Sequence, residues 1–167
     1  IQLYVGRVAV EKNLPAFLDA RTSGTKVVVG DGPDLTMLHE RYPEARFLGA
    51  MSGVQLSRAY CSADVFVFPS RTDTFGLVMI EALACGLPCL VSDIPANKEW
   101  VIEGENGWLF RDGDVNELVG KILTAIAQRE KLSGVGQASR RSAEMRKKKK
   151  KNAEVLMNTY RSIVERK

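Results

Sequence analysis

Four charged side chains lie in two segments whose composition suits an anionic, hydroxyl-bearing ligand. Arg7 and Lys12 follow a short apolar segment that ends at Gly6, whereas Asp73 and Glu81 lie in a polar turn and in the helix predicted after it. Guanidinium and ammonium groups bind phosphate oxygens, and a helix start adds free backbone amides. A carboxylate accepts hydrogen bonds from hydroxyl groups. These residue types are suited to binding a phosphate ester that carries hydroxyls.

Each of these side chains also has an ordinary structural interpretation. Arg7 can pair with a nearby carboxylate, and Lys12 can be a solvated loop charge. Glu81 lies among apolar residues of its helix, where a buried carboxylate needs a partner such as a pair of sugar hydroxyls or an arginine. The same spacing also fits a solvated stripe of the helix. The pattern alone leaves both interpretations open.

The sequence offers little for metal or nucleophilic chemistry. Its single histidine, His39, falls on a polar helix and is expected at the surface, which leaves no evident Ser-His or Cys-His pair. Asp112 and Asp114 flank a glycine, an arrangement that favours a turn and a helix cap over an oxygen-ligand site. Gly30 and Gly32 form an incomplete dinucleotide fingerprint, so a tight turn that lets the backbone approach a ligand is expected there. We expect no metal and no resident cofactor.

Strands and helices alternate along residues 1–129. Apolar strands are predicted at 1–5, 26–29, 45–48, 64–68, 88–91 and 107–110, and helices at 13–20, 34–42, 54–62, 76–84 and 114–129, with caps at Asn13, Asp34 and Asp114. The strands are apolar throughout, which indicates that helices cover both faces of the sheet. The prediction is an α/β fold with a Rossmann-like open parallel sheet of about six strands. A ligand site is then expected at the carboxyl ends of the strands.

The composition indicates a folded domain without a membrane span. The chain has 167 residues, of which 45% are hydrophobic, which is enough for a core and excludes intrinsic disorder. No apolar run approaches the ~18 residues of a membrane span, and no signal peptide pattern is seen. Cys61, Cys85 and Cys89 are too few for a disulfide framework, so a reducing, cytoplasmic compartment is expected, with Cys85 and Cys89 as buried thiols.

The tail differs from the rest of the chain. Arg146–Lys151 are six consecutive basic residues, and removing them from the formal charge of +4 leaves −2. Such a block is usually a solvated segment, with peripheral attachment to a membrane surface as the alternative. No basic groove with interleaved aromatic residues accompanies it, so nucleic acid is not an expected partner. We predict a domain at 1–135 and a helical tail at 136–167.

Residues 69–88, PSRTDTFGLVMIEALACGLP, carry a resemblance to a known family. The segment resembles the Pro-Ser-x-x-Glu-x-Phe-Gly motif and following helix of the retaining group 1 (family 4) glycosyltransferases, with Asp73 in place of the first Glu. Further family-like segments occur in the expected order at 6–12, 29–33, 47–49, 62–70, 92–99 and 106–110. Each is weak alone, but their order and spacing over residues 3 to about 130 are specific. Ala96 stands where this family usually has Gly.

The resemblance implies roles for individual residues. Arg7 and Lys12 would neutralise the diphosphate of a nucleotide-sugar, Glu81 would take two ribose hydroxyls, and Asp73 would take hydroxyls of the donor sugar. The turn at 30–33 and the segment at 48–51 would flank the base. The implied donor-binding residues are Gly6, Gly30, Gly32, Leu48, Met51, Thr74, Phe75, Gly76, Leu77 and Val78.

The resemblance also implies a larger protein. The family has the GT-B architecture of two Rossmann-like domains, and this chain is similar to the C-terminal, donor-binding one, without the N-terminal domain that supplies most acceptor contacts. The implied activity is transfer of a hexose from a UDP-, GDP- or ADP-linked donor to a glycan or lipid-linked acceptor. Without the other half of the cleft, the chain is expected to bind donor without efficient turnover.

Two other functions remain open at this point. One is a GT-B-like sugar-nucleotide epimerase, although such an enzyme needs a histidine and carboxylates over the sugar ring. The other is a non-catalytic interaction module with a vestigial site, tethered through the basic block. The joint presence of Arg7, Lys12 and Glu81 favours the glycosyltransferase.

Overall fold

A computed structural model describes residues 1–72 and 77–127, and residues 137, 138, 141 and 144 of the tail. Its strands are β1 (Gln2–Val5), β2 (Lys26–Val29), β3 (Arg46–Phe47), β4 (Val65–Phe68), β5 (Cys89–Ser92) and β6 (Gly107–Phe110). Its α-helices are α1 (Leu14–Leu18), α2 (Leu35–Arg41), α3 (Gly53–Cys61), α4 (Leu77–Ala84), α5 (Pro95–Lys98) and α6 (Val115–Ala127). A 3₁₀ turn, Val10–Lys12, precedes α1.

The strands form one parallel sheet in the order β3-β2-β1-β4-β5-β6. Leu3 of β1 aligns with Val27 on one side and with Phe66 on the other. The chain winds outward from β1 in one direction and then from β4 in the other, so the order reverses between these two strands. A parallel sheet opens a crevice at such a reversal, outside the carboxyl ends of the strands. The predicted Rossmann-like α/β fold is confirmed.

Buried residues on both sides of the sheet form the core. Every residue of β1, β4 and β5 is buried, as the unbroken apolar runs predicted. The rings of Tyr4, Phe68 and Phe66 form a stacked row across adjacent strands, with centroids 6.0 and 5.9 Å apart. The packed centre of the sheet gives the turns at its carboxyl edge a rigid base.

Two of the three predicted helix caps are wrong. Asn13 makes no capping side-chain hydrogen bond; it adopts a left-handed conformation (φ 51°) where the 3₁₀ turn passes into α1, a conformation that Asn tolerates better than most residues. Asp34 also makes no side-chain cap: its backbone is in the αR region (φ −92°, ψ 0°) instead of the extended region typical of a capping residue. Its backbone N–H donates to the Val8 carbonyl at 3.1 Å. The Asp114 cap is confirmed, with its Oδ1 accepting the Glu117 N–H at 2.9 Å.

Other boundaries differ by a few residues. Helix α1 ends at Leu18, and Lys26 Nζ donates to the carbonyls of Leu18 and Ala20 just beyond this end. The short helix α5 was not predicted, because its four residues are too few for a periodic pattern. The predicted domain boundary at residue 135 and the block Arg146–Lys151 lie outside the described residues.

Tyr42 makes the stability of the fold sensitive to alkaline pH. Its hydroxyl donates to Asp19 Oδ1 at 2.8 Å, and burial together with this bond and the Asp19 charge raises the pKa of Tyr42 to about 12. The unfolded chain releases the proton near pH 10. The stabilisation is therefore complete below about pH 10 and is lost as the pH rises towards 12.

We predict that Tyr42→Phe lowers the free energy of unfolding by about 1 kcal/mol at pH 7, since one hydrogen bond is lost. Urea unfolding of both proteins at several pH values checks this. The difference between wild type and variant should shrink between pH 10 and 12. Parallel stability curves across that range would show that Tyr42 does not titrate with folding.

Candidate functional site

The turns after β1 and β2 are joined through their backbones. Gly6 N–H donates to the Val29 carbonyl at 3.0 Å, Val8 N–H to the Asp31 carbonyl at 2.9 Å, and Asp34 N–H to the Val8 carbonyl at 3.1 Å. The two turns therefore form one hydrogen-bonded unit at the carboxyl edge of the sheet. We call this unit the β1–β2 clasp.

Gly30 and Gly32 make the clasp sterically feasible. A Cβ on Gly30 would lie 1.8 Å from the Gly6 carbonyl oxygen, and one on Gly32 would lie 2.2 Å from the Val8 carbonyl oxygen. Both distances are far below any tolerated contact, and the obstacle is backbone. The close approach seen here is to the backbone of the turn after β1, whereas the predicted approach to a ligand stays a prediction. Gly30 N–H also donates to the Gly49 carbonyl at 2.8 Å, which adds the turn after β3.

The turn after β4 meets the turn after β1 at the reversal of strand order. Arg71 N–H donates to the Glu11 carbonyl at 3.1 Å, and Lys12 Nζ donates to the Thr72 carbonyl at 3.2 Å. The Lys12 ammonium also lies 5.5 Å from the centre of the Phe68 ring. The sequence did not indicate these contacts. They place the Lys12 charge between the two turns that border the crevice.

A buried polar network supports the turn after β4. Ser92 Oγ donates to the Ser70 carbonyl, Asn97 Nδ2 donates to the Ser92 carbonyl at 2.8 Å, and Ser70 Oγ donates to the Thr72 carbonyl at 2.6 Å. Ser70, Ser92 and Asn97 are fully buried. Sequence reasoning did not single out Asn97 as a support, because it lies on the short helix α5, five residues after the end of β5, where no periodic pattern indicates burial.

The Arg7 side chain extends from a fixed backbone into solvent. Tyr4 Oη donates to the Arg7 carbonyl at 2.7 Å, whereas the Arg7 side chain is 66% exposed. Its guanidinium lies 3.9 Å from the Glu11 carboxylate, so Arg7 forms the ion pair with a carboxylate that the structural interpretation of the sequence offered. An exposed pair at this distance contributes little to stability. The guanidinium therefore remains available to an anionic ligand.

Glu81 lies on the second turn of α4 and is exposed, as the solvated-stripe interpretation required. One of its oxygens, Oε2, nevertheless accepts a hydrogen bond from the buried Tyr60 hydroxyl at 3.0 Å. Leu77 and Val78 form the first turn of α4, exposed and half-buried respectively. The predicted site residues Asp73, Thr74, Phe75 and Gly76 lie outside the described residues.

Leu48 and Met51 lie beside an apolar cavity of about 420 Å³ between α3 and the sheet, to which Leu3, Val27 and Ala59 also contribute. Leu48 is exposed and Met51 is half-buried. The two residues predicted to flank a base therefore have free apolar surface near the carboxyl edge. Their role in binding stays a prediction.

The other polar residues that the sequence offered for chemistry do not form a site with one another in the described part of the chain. Within residues 1–72 and 77–127 no group of three or more His, Cys, Asp or Glu side chains is arranged to hold a metal. Asp112 pairs with Arg71 at 3.2 Å, and His39 is exposed against the Phe47 ring. No described helix is long and apolar enough to cross a membrane.

The three cysteines are free thiols. Cys89 is buried as expected, and burial raises the pKa of its thiol well above the ordinary value. Cys85 is only partly buried, because it lies at the end of α4, and Cys61 is exposed at the end of α3.

The family model for glycosyl transferases group 1 matches residues 1–128. The chain belongs to this family. The match covers the whole described sheet and α6, so the resemblance seen in the motifs is confirmed.

Two of the curated relatives are sugar transferases by name. The sulfoquinovosyl transferase SQD2 of Arabidopsis thaliana is 39% identical over 151 residues, which are 85% of this chain and 29% of SQD2. A GDP-mannose-dependent alpha-mannosyltransferase of Mycolicibacterium smegmatis is 37% identical over 142 residues, 83% of this chain and 37% of the relative. The chain spans about a third of the length of these relatives.

Solved structures share the fold. Sucrose-phosphate synthase from Thermosynechococcus elongatus superposes with a TM-score of 0.87 at 27% identity, over 99% of this chain and 46% of the synthase. Anabaena HepE in complex with UDP gives a TM-score of 0.79 at 22% identity, over 94% of this chain and 48% of HepE. The fold is one Rossmann-like half of a GT-B glycosyltransferase.

We predict that Gly32→Ala destabilises the domain by about 3 kcal/mol, because the new methyl group meets the Val8 carbonyl. Gly120→Ala is the matched control: a Cβ on Gly120 meets nothing within 4 Å, and helix propensity should stabilise α6 by about 1 kcal/mol. Thermal unfolding of the three proteins measures both changes. Equal effects of the two substitutions would show that the clasp is not a tight backbone contact.

Proposed function

We propose that this chain is the nucleotide-sugar-binding part of a retaining glycosyltransferase that transfers a hexose to a glycan or lipid-linked acceptor. The supporting observation is the meeting of the Arg7–Lys12 turn with the turn before α4 at the reversal of strand order. This is the place where a parallel α/β sheet binds ligands. The family membership and the names of the relatives agree with the proposal.

The diphosphate is the part of the donor that the basic groups would stabilise. When the glycosidic bond of the donor breaks, negative charge grows on the departing diphosphate. Arg7 and Lys12 would supply positive charge there, and backbone amides near Leu77 and Val78 in the first described turn of α4 would add to it. Positive groups placed in advance lower the barrier for such a step. We therefore propose a reaction that needs no metal and no resident cofactor.

The hydroxyl groups of the donor would bind the carboxylates. One oxygen of Glu81 accepts a hydrogen bond from Tyr60, and the other would accept hydrogen bonds from the hydroxyls of the ribose. Asp73 would bind the donor sugar, and its shorter side chain in place of Glu would shift the position of that sugar. Leu48 and Met51, together with the turn that contains Gly30 and Gly32, would flank the base.

Several features of the whole protein belong to the proposal. Some relatives use GDP-mannose by name and HepE is bound to UDP, so UDP, GDP and ADP are the nucleotides to test. A second, N-terminal Rossmann-like domain would bring the acceptor and exclude water, and this chain alone would bind donor with little turnover. Peripheral contact with the cytoplasmic face of a membrane, through Arg146–Lys151, also stays a proposal.

We expect one of UDP, GDP and ADP to bind this chain weakly but saturably. Amide chemical shifts recorded during titration should change most at residues 6–12 and 77–81. Shift changes confined to other surfaces would place the nucleotide elsewhere. No binding by this chain or by the full-length protein would favour a non-catalytic module.

Arg7→Ala and Glu81→Ala should each weaken binding of that nucleotide about tenfold, since each removes a charged hydrogen-bonding group. Arg21→Ala and Glu40→Ala are matched controls, because both residues are exposed and lie away from the carboxyl ends of β1 and β4. Calorimetric titration gives the dissociation constants. Unchanged affinity in both site variants would refute the site assignment.

A further inference from the structure

Tyr60 connects helix α3 to the carboxylate of Glu81. Its side chain is 1% exposed, and its ring packs against Phe66 with centroids 6.0 Å apart. Its hydroxyl lies 3.0 Å from Glu81 Oε2 and 3.2 Å from the Val78 carbonyl oxygen. A buried, rigid donor thus reaches an otherwise exposed acid 21 residues further along the chain.

The chemistry of the pair makes Tyr60 a permanent donor. Burial, and then the Glu81 charge and hydrogen bond, raise the pKa of Tyr60 well above its ordinary value, so the hydroxyl keeps its proton. An ionised carboxylate has only acceptor sites, and a bond from the Tyr60 hydroxyl occupies one of them on Oε2. Within residues 1–72 and 77–127 no other side chain donates to Glu81, so Oε1 is open to a ligand on the side that these residues form.

An unrestrained Glu side chain on an exposed helix position samples many rotamers. Fixing such a side chain on binding costs conformational entropy. A bond from a buried tyrosine restricts the carboxylate before any ligand arrives, and preorganisation of this kind increases affinity without a new ligand contact.

We propose that Tyr60 is a positioning residue that holds the Glu81 carboxylate in the orientation that receives both ribose hydroxyls of the donor nucleotide. This inference rests on the proposed function. It assigns to Tyr60 a part in the discrimination between ribose and deoxyribose, because binding two hydroxyls on one carboxylate restricts its plane more than binding one, and a plane that is already fixed lowers that entropy cost. Tyr60 itself does not touch the ligand.

The test compares a nucleoside diphosphate with its 2′-deoxy form. Tyr60→Phe keeps the buried ring and removes only the hydroxyl. We expect the affinity for UDP, GDP or ADP, whichever binds the wild type, to fall about fivefold. The affinity for the corresponding 2′-deoxy nucleotide should change less than twofold. Tyr42→Phe is the matched control, since it removes a hydroxyl bound to Asp19 instead, and it should leave both affinities unchanged.

A double-mutant cycle separates positioning from general structural support. In a Glu81→Ala background, Tyr60→Phe should have no further effect on nucleotide affinity. Equal losses for ribose and deoxyribose nucleotides, or an undiminished loss in the Glu81→Ala background, would overturn the assignment while leaving the donor site intact. Absence of nucleotide binding by the wild type would instead refute the proposed function.

A measurement on the wild type does not depend on the folding of any variant. With ¹³C-labelled Tyr and Glu, saturation with the nucleotide should shift the Glu81 Cδ resonance and leave the Tyr60 Cζ resonance unchanged. A large Tyr60 Cζ shift would mean that ribose displaces the tyrosine from the carboxylate, which contradicts the positioning role.

Discussion

The backbone contact of the β1–β2 clasp is the constraint on which the candidate site depends. The Gly6 and Val8 carbonyls occupy the space that side chains at positions 30 and 32 would need. This contact fixes the path of the turn after β1, from which Arg7 projects. The hydrogen bonds that join the two turns are between backbone groups, so the exposed side chain of Arg7 is not needed to hold them together.

The opposite side of the crevice is fixed by different means. There the Ser92 side chain donates to the Ser70 carbonyl just after β4, and the Asn97 side chain donates to the carbonyl of Ser92 at the end of β5. The Glu11 carbonyl accepts the N–H of Arg71 in the turn after β4. Exposed cations such as Arg7 add little to folding stability. Their position on a rigid, buried base is therefore better explained by ligand binding than by stability.

Much of the fold followed from local sequence pattern, and much of the site did not. Apolar runs such as Val65–Phe68 located the strands, and turn residues located their ends. The contact of Lys12 with Thr72 joins positions separated by 60 residues, and the contact of Tyr60 with Glu81 joins positions separated by 21 residues. No local pattern encodes such pairs, because they depend on how the sheet is wound. The same holds for the backbone N–H of Asp34, which binds the carbonyl of Val8 in another turn.

The most direct test of this account is a crystal structure of the chain with the nucleoside diphosphate that binds it. The account predicts the two phosphates between Arg7, Lys12 and the first amides of α4, with the ribose hydroxyls on Glu81. Phosphates bound anywhere else, such as beneath α3 or at the amino ends of the strands, would contradict the assignment of the crevice between β1 and β4 as the donor site.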